Sequence, residues 1–313
     1  MYRVVVALIA AACAAASARG QVTYRSGIDL VSFGVTVTDR KGAFVKDLTA
    51  ADFEVYEDGQ KQDLRYFSNG SVTGSEETPE LHLGIVFDIS GSMDEDLRLA
   101  RTAAIRFLNT LREAVDITLV DFTTEVRVAR YGQNDFPRVV ERIRNRKADG
   151  YTALYDAVGV YLDGASHQGG RTVMVLYTDG ADNSSELPFD ELLTLLRASD
   201  IIVYSIGFVE HQAGSSARMD LRVRLRELAE VTGGQAFFPA SAKDLDGVYQ
   251  KIEEEIRAQY VMGYVSTNTR QDGKWRKVEI RVVRPGFANV VIRTRGGYFA
   301  PYKEPAREGR LLR

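Results

Sequence analysis

The stretch Leu83-Gly84-Ile85-Val86-Phe87-Asp88-Ile89-Ser90-Gly91-Ser92 decides how this 313-residue chain reads. Leu83 to Phe87 is an apolar run of the length of a buried strand. After Ser92, residues Leu97, Ala100, Ala104, Phe107, Leu108 and Leu111 share one face at 3.6-residue spacing, the mark of an amphipathic helix. An acid, two hydroxyls and a glycine thus stand where a parallel strand ends and a helix begins. In doubly wound sheets that crevice is where ligands bind. Oxygen ligands without His or Cys suit a hard cation such as Mg2+.

Working outward, strands and helices alternate from about residue 80 to 257. Strands are expected at Leu83–Phe87, Asp116–Asp121, Glu125–Tyr131, Val173–Thr178, Ile201–Phe208 and Gln235–Phe238. Such alternation implies a mostly parallel sheet covered by helices on both faces. The link from Asp121 to Glu125 is too short for a crossover, so the strand after it should run antiparallel. A last helix carries Leu245, Val248, Ile252 and Ile256 on one face and runs almost directly into a strand at Tyr260.

Both flanks read as β. In residues 21–75, Val31, Phe33, Val35 and Val37 alternate with small or polar residues, and Asp58-Gly59 marks a hairpin turn between Phe53–Tyr56 and Leu64–Phe67. In residues 258–302, Val278, Ile280 and Val282 alternate with Lys277, Glu279 and Arg281, between turns at Asp272-Gly273 and Arg284-Pro285-Gly286. Neither flank has enough strands to bury a core alone. The fold expected is therefore α/β: a doubly wound, mostly parallel six-stranded sheet inserted into a β-sandwich built from the N- and C-terminal segments. Ser68 to Pro79 has linker composition, and residues 303–313 form a polar tail.

The first 20 residues read as a signal peptide. Arg3 is a short positive region, Val4 to Ala16 is apolar, and Ala16-Ser17-Ala18 fits a small-residue cleavage site. No stretch is long enough to span a bilayer comfortably. The one cysteine, Cys13, lies inside this segment, so a mature chain has no disulfide and no thiolate metal site. Lipid attachment through Cys13 is a minor alternative to secretion or release into the periplasm or cell envelope. The formal net charge of −3 gives no basic excess for nucleic acid. The locally basic run Arg138 to Lys147 reads as a solvated helix face.

Two more loops join the first. Gly150-Tyr151-Thr152 precedes a helical pattern, and the strand Val173–Thr178 ends at Asp179-Gly180. Asp88, Ser90, Ser92, Thr152 and Asp179 are thus offered at one end of the expected sheet. Taken singly, each has a structural reading: Ser92 and Thr152 suit helix caps, and Asp179-Gly180 is an ordinary turn pair.

As a set, these residues and their order resemble the metal-ion-dependent adhesion site of von Willebrand factor type A domains. That resemblance covers about 175 residues. It implies Mg2+ (or Mn2+) surrounded by Asp88, Ser90, Ser92, Thr152 and Asp179, in a sheet of order 3-2-1-4-5-6. The flanks, through Val35-Thr36-Val37-Thr38-Asp39, Asp52 to Gly59 and Gly296-Gly297-Tyr298, resemble the VWFA-related Acidobacterial domain proteins, an exported group of mostly unassigned role.

The chemistry of such a site is direct. Serine and threonine hydroxyls are neutral ligands; if the two aspartates act partly through water, the ion keeps much of its charge and accepts one more carboxylate. A protein partner can present it as Asp or Glu. Two other functions compete. A metal-assisted hydrolase would need a general base, and only His82, His167 and His211 are present, without a His-Glu-x-x-His or Gly-x-Ser-x-Gly motif. An envelope scaffold with an idle metal site is the other. The expected function is an exported, non-enzymatic, metal-dependent protein-binding module for adhesion or assembly.

Overall fold

A computed structural model describes residues 30–69, 80–110, 113–165, 170–212, 214–287 and 289–303. The expected signal peptide with Cys13, residues 70–79 of the linker, Leu111, His167 and residues 304–313 of the tail lie outside the described residues.

The chain first lays down β1 (Leu30–Thr38), β2 (Phe53–Glu57), β3 (Gln60–Gln62) and β4 (Leu64–Asn69). The α/β section follows as β5 (Leu81–Asp88), α1 (Leu97–Thr110), β6 (Ala114–Phe122), β7 (Val126–Gly132), α2 (Phe136–Asn145), α3 (Leu154–Ala165) and β8 (Arg171–Thr178). It continues through α4 (Phe189–Ala198), β9 (Ile202–Gly207), α5 (Ser215–Glu230), β10 (Gln235–Phe237) and α6 (Ala242–Ala258). The chain then returns to β structure with β11 (Tyr260–Val265), β12 (Trp275–Val282), β13 (Val291–Arg293) and β14 (Gly297–Phe299).

The central sheet has the order β10-β9-β8-β5-β6-β7. All neighbours are parallel except β6 and β7, which pair antiparallel as the short link requires. Every residue of β5 is buried, because helices cover both faces. On one face α1, α2 and α6 pack over Ile85, Phe87, Ile117 and Tyr204. On the other, α3, α4 and α5 pack over Val86, Val120, Met174 and Leu176.

The flanks form two four-stranded antiparallel sheets, β13-β1-β11-β4 and β14-β12-β2-β3. Phe33, Val35, Tyr260 and Met262 of the first share one core with Phe53, Val55, Val278 and Ile280 of the second. Buried Glu57 crosses between them, accepting hydrogen bonds from Tyr264 (2.9 Å) and Tyr298 (2.9 Å). The sandwich is thus built from both ends of the described chain.

One expected pairing is different. Across the Asp58-Gly59 turn, β2 pairs with Gln60–Gln62, while Leu64–Asn69 crosses to the other sheet and pairs with β11. The tight turn, with φ of +46° at Asp58 and +83° at Gly59, places residues 60–62 opposite 55–57. The chain leaves that sheet at Asp63, and Leu64 and Phe67 reach the shared core from the opposite side.

The sandwich sits against the N-terminal edge of the central sheet. Arg295 donates to the Ser199 carbonyl (2.7 Å) just before β9 and to the Ser32 carbonyl (2.7 Å) on β1. Arg171, at the start of β8, donates to the Ile256 carbonyl (2.6 Å) at the end of α6. Fully buried Glu255 on α6 is ion-paired with Arg293 of β13 at 2.6 Å, at an angle too poor for a hydrogen bond. Removing one member of such a pair strands the other charge. We expect Arg293→Met to destabilise the protein by about 3 kcal/mol, and Glu255→Leu with Arg293→Met to cost less than that single change. Urea unfolding of the single and double variants checks this.

Candidate functional site

The C-terminal edge of the central sheet carries all five expected residues on three loops. β5 ends at Asp88, and its carboxylate folds back on the chain: the Ser90 amide donates to Oδ1 at 2.9 Å. Gly91–Met93 then forms one tight helical turn anchored by buried Met93. The second loop, Gly150 to Ala153, leads into α3. The third follows β8 and begins at Asp179.

Hydrogen bonds tie the loops into one rim. The Gly91 amide donates to the Gly150 carbonyl and the Asp149 amide to the Ile89 carbonyl, each at 3.0 Å. A Cβ at position 91 would lie 3.3 Å from that Gly150 oxygen, so the approach favours glycine. The Thr152 amide donates to Asn183 Oδ1 (2.8 Å), and the Asn183 amide returns a bond to the Thr152 carbonyl (3.0 Å). Thr178 Oγ1 donates to Asp88 Oδ2 at 2.6 Å, joining the ends of β5 and β8.

Asp88, Ser90, Thr152 and Asp179 are buried, whereas Ser92 is exposed at the rim. The two serine hydroxyls lie 3.1 Å apart. Asp179 accepts from the Ala181 amide (2.9 Å) and from Gln212 Nε2 (2.8 Å). Among the described residues, neither Asp88 nor Asp179 is paired with Lys, Arg or His. Burial, and then the charge of Asp179, push the Asp88 carboxyl up to about 7, against the lowering effect of its bonds from Ser90 and Thr178.

The hydroxyls are not occupied as helix caps. The first amides of α3 are satisfied by other side chains: Tyr155 N–H by Asp182 (3.0 Å) and Ser185 (3.0 Å), Asp156 N–H by Ser185 (3.1 Å). Thr152 is therefore relieved of the role that its position suggests. The oxygen of Ser92 meets Ser90 rather than a helix amide. Asp182 is thus a loop-organising residue, and Asp156 holds the following loop through the amides of Glu186 (3.0 Å) and Leu187 (2.9 Å).

Several residues around the rim escape a reading of sequence spacing. Thr178, Asn183 and Gln212 orient the site, but Gln212 is brought in by the loop after β9, far along the chain. Asp96 and His211 form a pair at 2.8 Å beside the first loop. The Asp96 carboxyl is raised by burial, which its hydrogen bond to His211 partly offsets. His82 lies at the opposite end of β5, bonded to Asp116 at 3.0 Å, so it does not face Ser90.

Among the described residues no three His, Cys, Asp or Glu side chains are grouped so as to hold a metal. The set here is two carboxylates with neutral hydroxyls, and that chemistry fits a hard divalent cation rather than Zn2+.

Comparison with known proteins places the chain in a family. No curated protein sequence matches the chain. Solved structures similar to it include the PilB minor pilin from Streptococcus sanguinis, at 16% identity and a TM-score of 0.47, covering 59% of this chain and 63% of that one. The chain therefore spans less than two thirds of that pilin. A von Willebrand factor type A protein from Catenulispora acidiphila is similar at 15% identity and a TM-score of 0.48, covering 81% and 74%. The vWF domain of the type V pili tip protein Mfa5 from Porphyromonas gingivalis is similar at 14% identity and a TM-score of 0.46, covering 57% and 97%. The sequence model of the von Willebrand factor type A domain matches residues 82–251, more than half of the chain, and covers the whole rim. With its six-stranded sheet and helices on both faces, the chain belongs to the von Willebrand factor type A domain family.

Proposed function

We propose that this protein is an exported, metal-dependent protein-binding module whose rim of three loops engages a carboxylate of its partner. Family membership supports a protein-interaction or adhesion role. One observation carries the finer reading: Asp88 and Asp179 are fully buried side by side with no cationic partner among the described residues. Like charges in such a setting are costly unless a cation joins them.

Asp88, Ser90, Ser92, Thr152 and Asp179 would hold Mg2+ or Mn2+, and a bound ion supplies a Lewis-acidic position for an Asp or Glu side chain. The protein's own contribution is preorganisation. Thr178 and the Ser90 amide fix Asp88, Gln212 fixes Asp179, and the bond from the Thr152 amide to Asn183 fixes the second loop, with the Ser90 and Thr152 side chains buried and Ser92 exposed at the rim. Exposed Ser92 and Tyr151 flank the opening. His82, the base that a hydrolase reading would recruit, faces the other edge of the sheet, which favours binding over catalysis. No helix among the described residues is long and apolar enough to cross a membrane. The Ala-rich N-terminal run supports export to the cell envelope or beyond.

Calorimetry on the chain without residues 1–18 should show Mg2+ or Mn2+ binding that is lost in Asp88→Ala and weakened at least tenfold in Ser90→Ala and Thr152→Ala. Unchanged binding in these variants overturns the assignment. Capture of an envelope protein that is released by chelator, and abolished by Asp88→Ala, would extend it to the partner.

A pH dependence follows for the chelated protein. The Asp88 carboxyl stands at about 7 when folded, against an ordinary value of 3.8. The folded state then holds a proton that the unfolded state gives up, so this contribution to stability is complete below about 4 and is lost as pH rises through about 7. Denaturation in EDTA should show wild-type stability falling across that window relative to Asp88→Asn. Saturating Mg2+ should remove the difference in slope.

A further inference from the structure

The outer surface of α1 and α2 holds a second, separate feature. α1 carries Arg98, Arg101 and Arg106 and no acidic residue, while α2 carries three arginines against the single Glu141. Some of this charge is used internally. Arg142 turns inward to buried Asp121, Arg138 pairs with Asp135, and Arg106 reaches Asp246 on α6 at 2.6 Å. Arg101 donates to the Arg146 carbonyl. Arg98 and Arg144 are exposed and form no ion pair among the described residues. Asp96 and Glu95, the acids that shortly precede Arg98, lie 2.8 and 3.9 Å from His211 instead.

These arginines line a groove. Arg98, Arg101, Ile105 and Arg144 border a hollow of about 350 Å3. Arg144 is also the wall of a second hollow of about 380 Å3, floored by Leu108, Phe136 and Val140. A cationic trough therefore adjoins an apolar one, with Arg144 common to both.

We propose that this groove binds an acidic protein segment, whose carboxylates pair with Arg98, Arg101 and Arg144 and whose neighbouring apolar side chain enters the hollow over Phe136. The charge is complementary, and the guanidinium fork matches a carboxylate in geometry as well as sign. The shape favours a chain over an anionic lipid surface. A membrane-seated face presents protruding apolar side chains, whereas Phe136 and Val140 are recessed and no large exposed hydrophobic side chain lies on α1 or α2. The groove shares no residue with the metal rim, so its use is independent of that reading.

The test uses the chain without residues 1–18, in EDTA, with a fluorescein-labelled peptide of repeated Glu-Glu-Leu and its Gln-Gln-Leu counterpart. The acidic peptide should bind with an affinity that falls steeply with salt, and the glutamine peptide at least tenfold more weakly. Arg98→Glu with Arg144→Glu should weaken binding at least tenfold while leaving the circular dichroism spectrum unchanged. Arg98→Gln with Arg144→Gln provides a milder second variant. Backbone amide shifts induced by the peptide should cluster at 98–108 and 136–144, and Asp88→Ala should bind the peptide as wild type does. Equal binding of both peptides, or an unchanged affinity in both double variants, overturns the proposal. So does binding to phosphatidylglycerol vesicles or to a DNA oligonucleotide in place of the peptide.

Discussion

The short hydrogen bond from Thr178 to Asp88 is the contact on which the rim depends. It lies wholly in the interior and joins the C-terminal ends of two adjacent parallel strands. Each of those strands delivers one of the two acids, so the bond sets the spacing between like charges that would otherwise separate. The Thr178 oxygen also accepts the Gly180 amide at 3.0 Å, which turns the chain sharply after Asp179. Gly180 has a φ of +86°, and a Cβ there would press on Leu225. One hydroxyl thereby organises both the acid pair and the turn that follows it. The surrounding amide bonds between loops keep the serine and threonine oxygens from collapsing onto helix ends.

The inner strands β5 and β8 of the central sheet were legible because their composition is almost wholly apolar. Leu83–Phe87 and Val173–Thr178 have no polar alternation to mislead, and they define the edge from which the three loops rise. The antiparallel β7 followed from the length of one link. The five rim residues could be named because each lies within a few residues of such a strand end or helix start. Gln212 and Asn183 could not, since their roles come from loop conformation rather than spacing. The β2 hairpin misled for a related reason. Leu64 and Phe67 have the apolar pattern of a strand, but nothing local says to which of two sheets that strand belongs. Only the joint core, with Tyr260 against Phe53 and Phe67, settles it.

The sandwich is more than an appendage to the α/β section. It meets the central sheet through Arg295, which reaches the Ser199 carbonyl, while Arg171 of β8 holds the end of α6, where the chain returns to the sandwich, through the Ile256 carbonyl; both side chains are largely withdrawn from water. Burial lowers the proton affinity of both guanidinium groups. The C-terminal turn of α6 is held by the same set of contacts, through Glu255 and Arg293. The sandwich and the α/β section are therefore joined by polar groups whose partners lie across the boundary, Arg295 with Ser199 and Arg293 with Glu255.

The opposed placement of rim and sandwich has a mechanical meaning. The chain enters β5 and leaves α6 at the N-terminal edge of the sheet, where the sandwich is seated, while the carboxylate pair lies at the far ends of β5 and β8. Tension applied at the rim and resisted at the sandwich thus runs along the strand axes. The ladder bonds of β5 to β6 and β8 lie across that direction, so they are loaded in shear, together, rather than peeled one after another. Such an arrangement lets a small surface contact withstand a pull without opening the sheet that holds it.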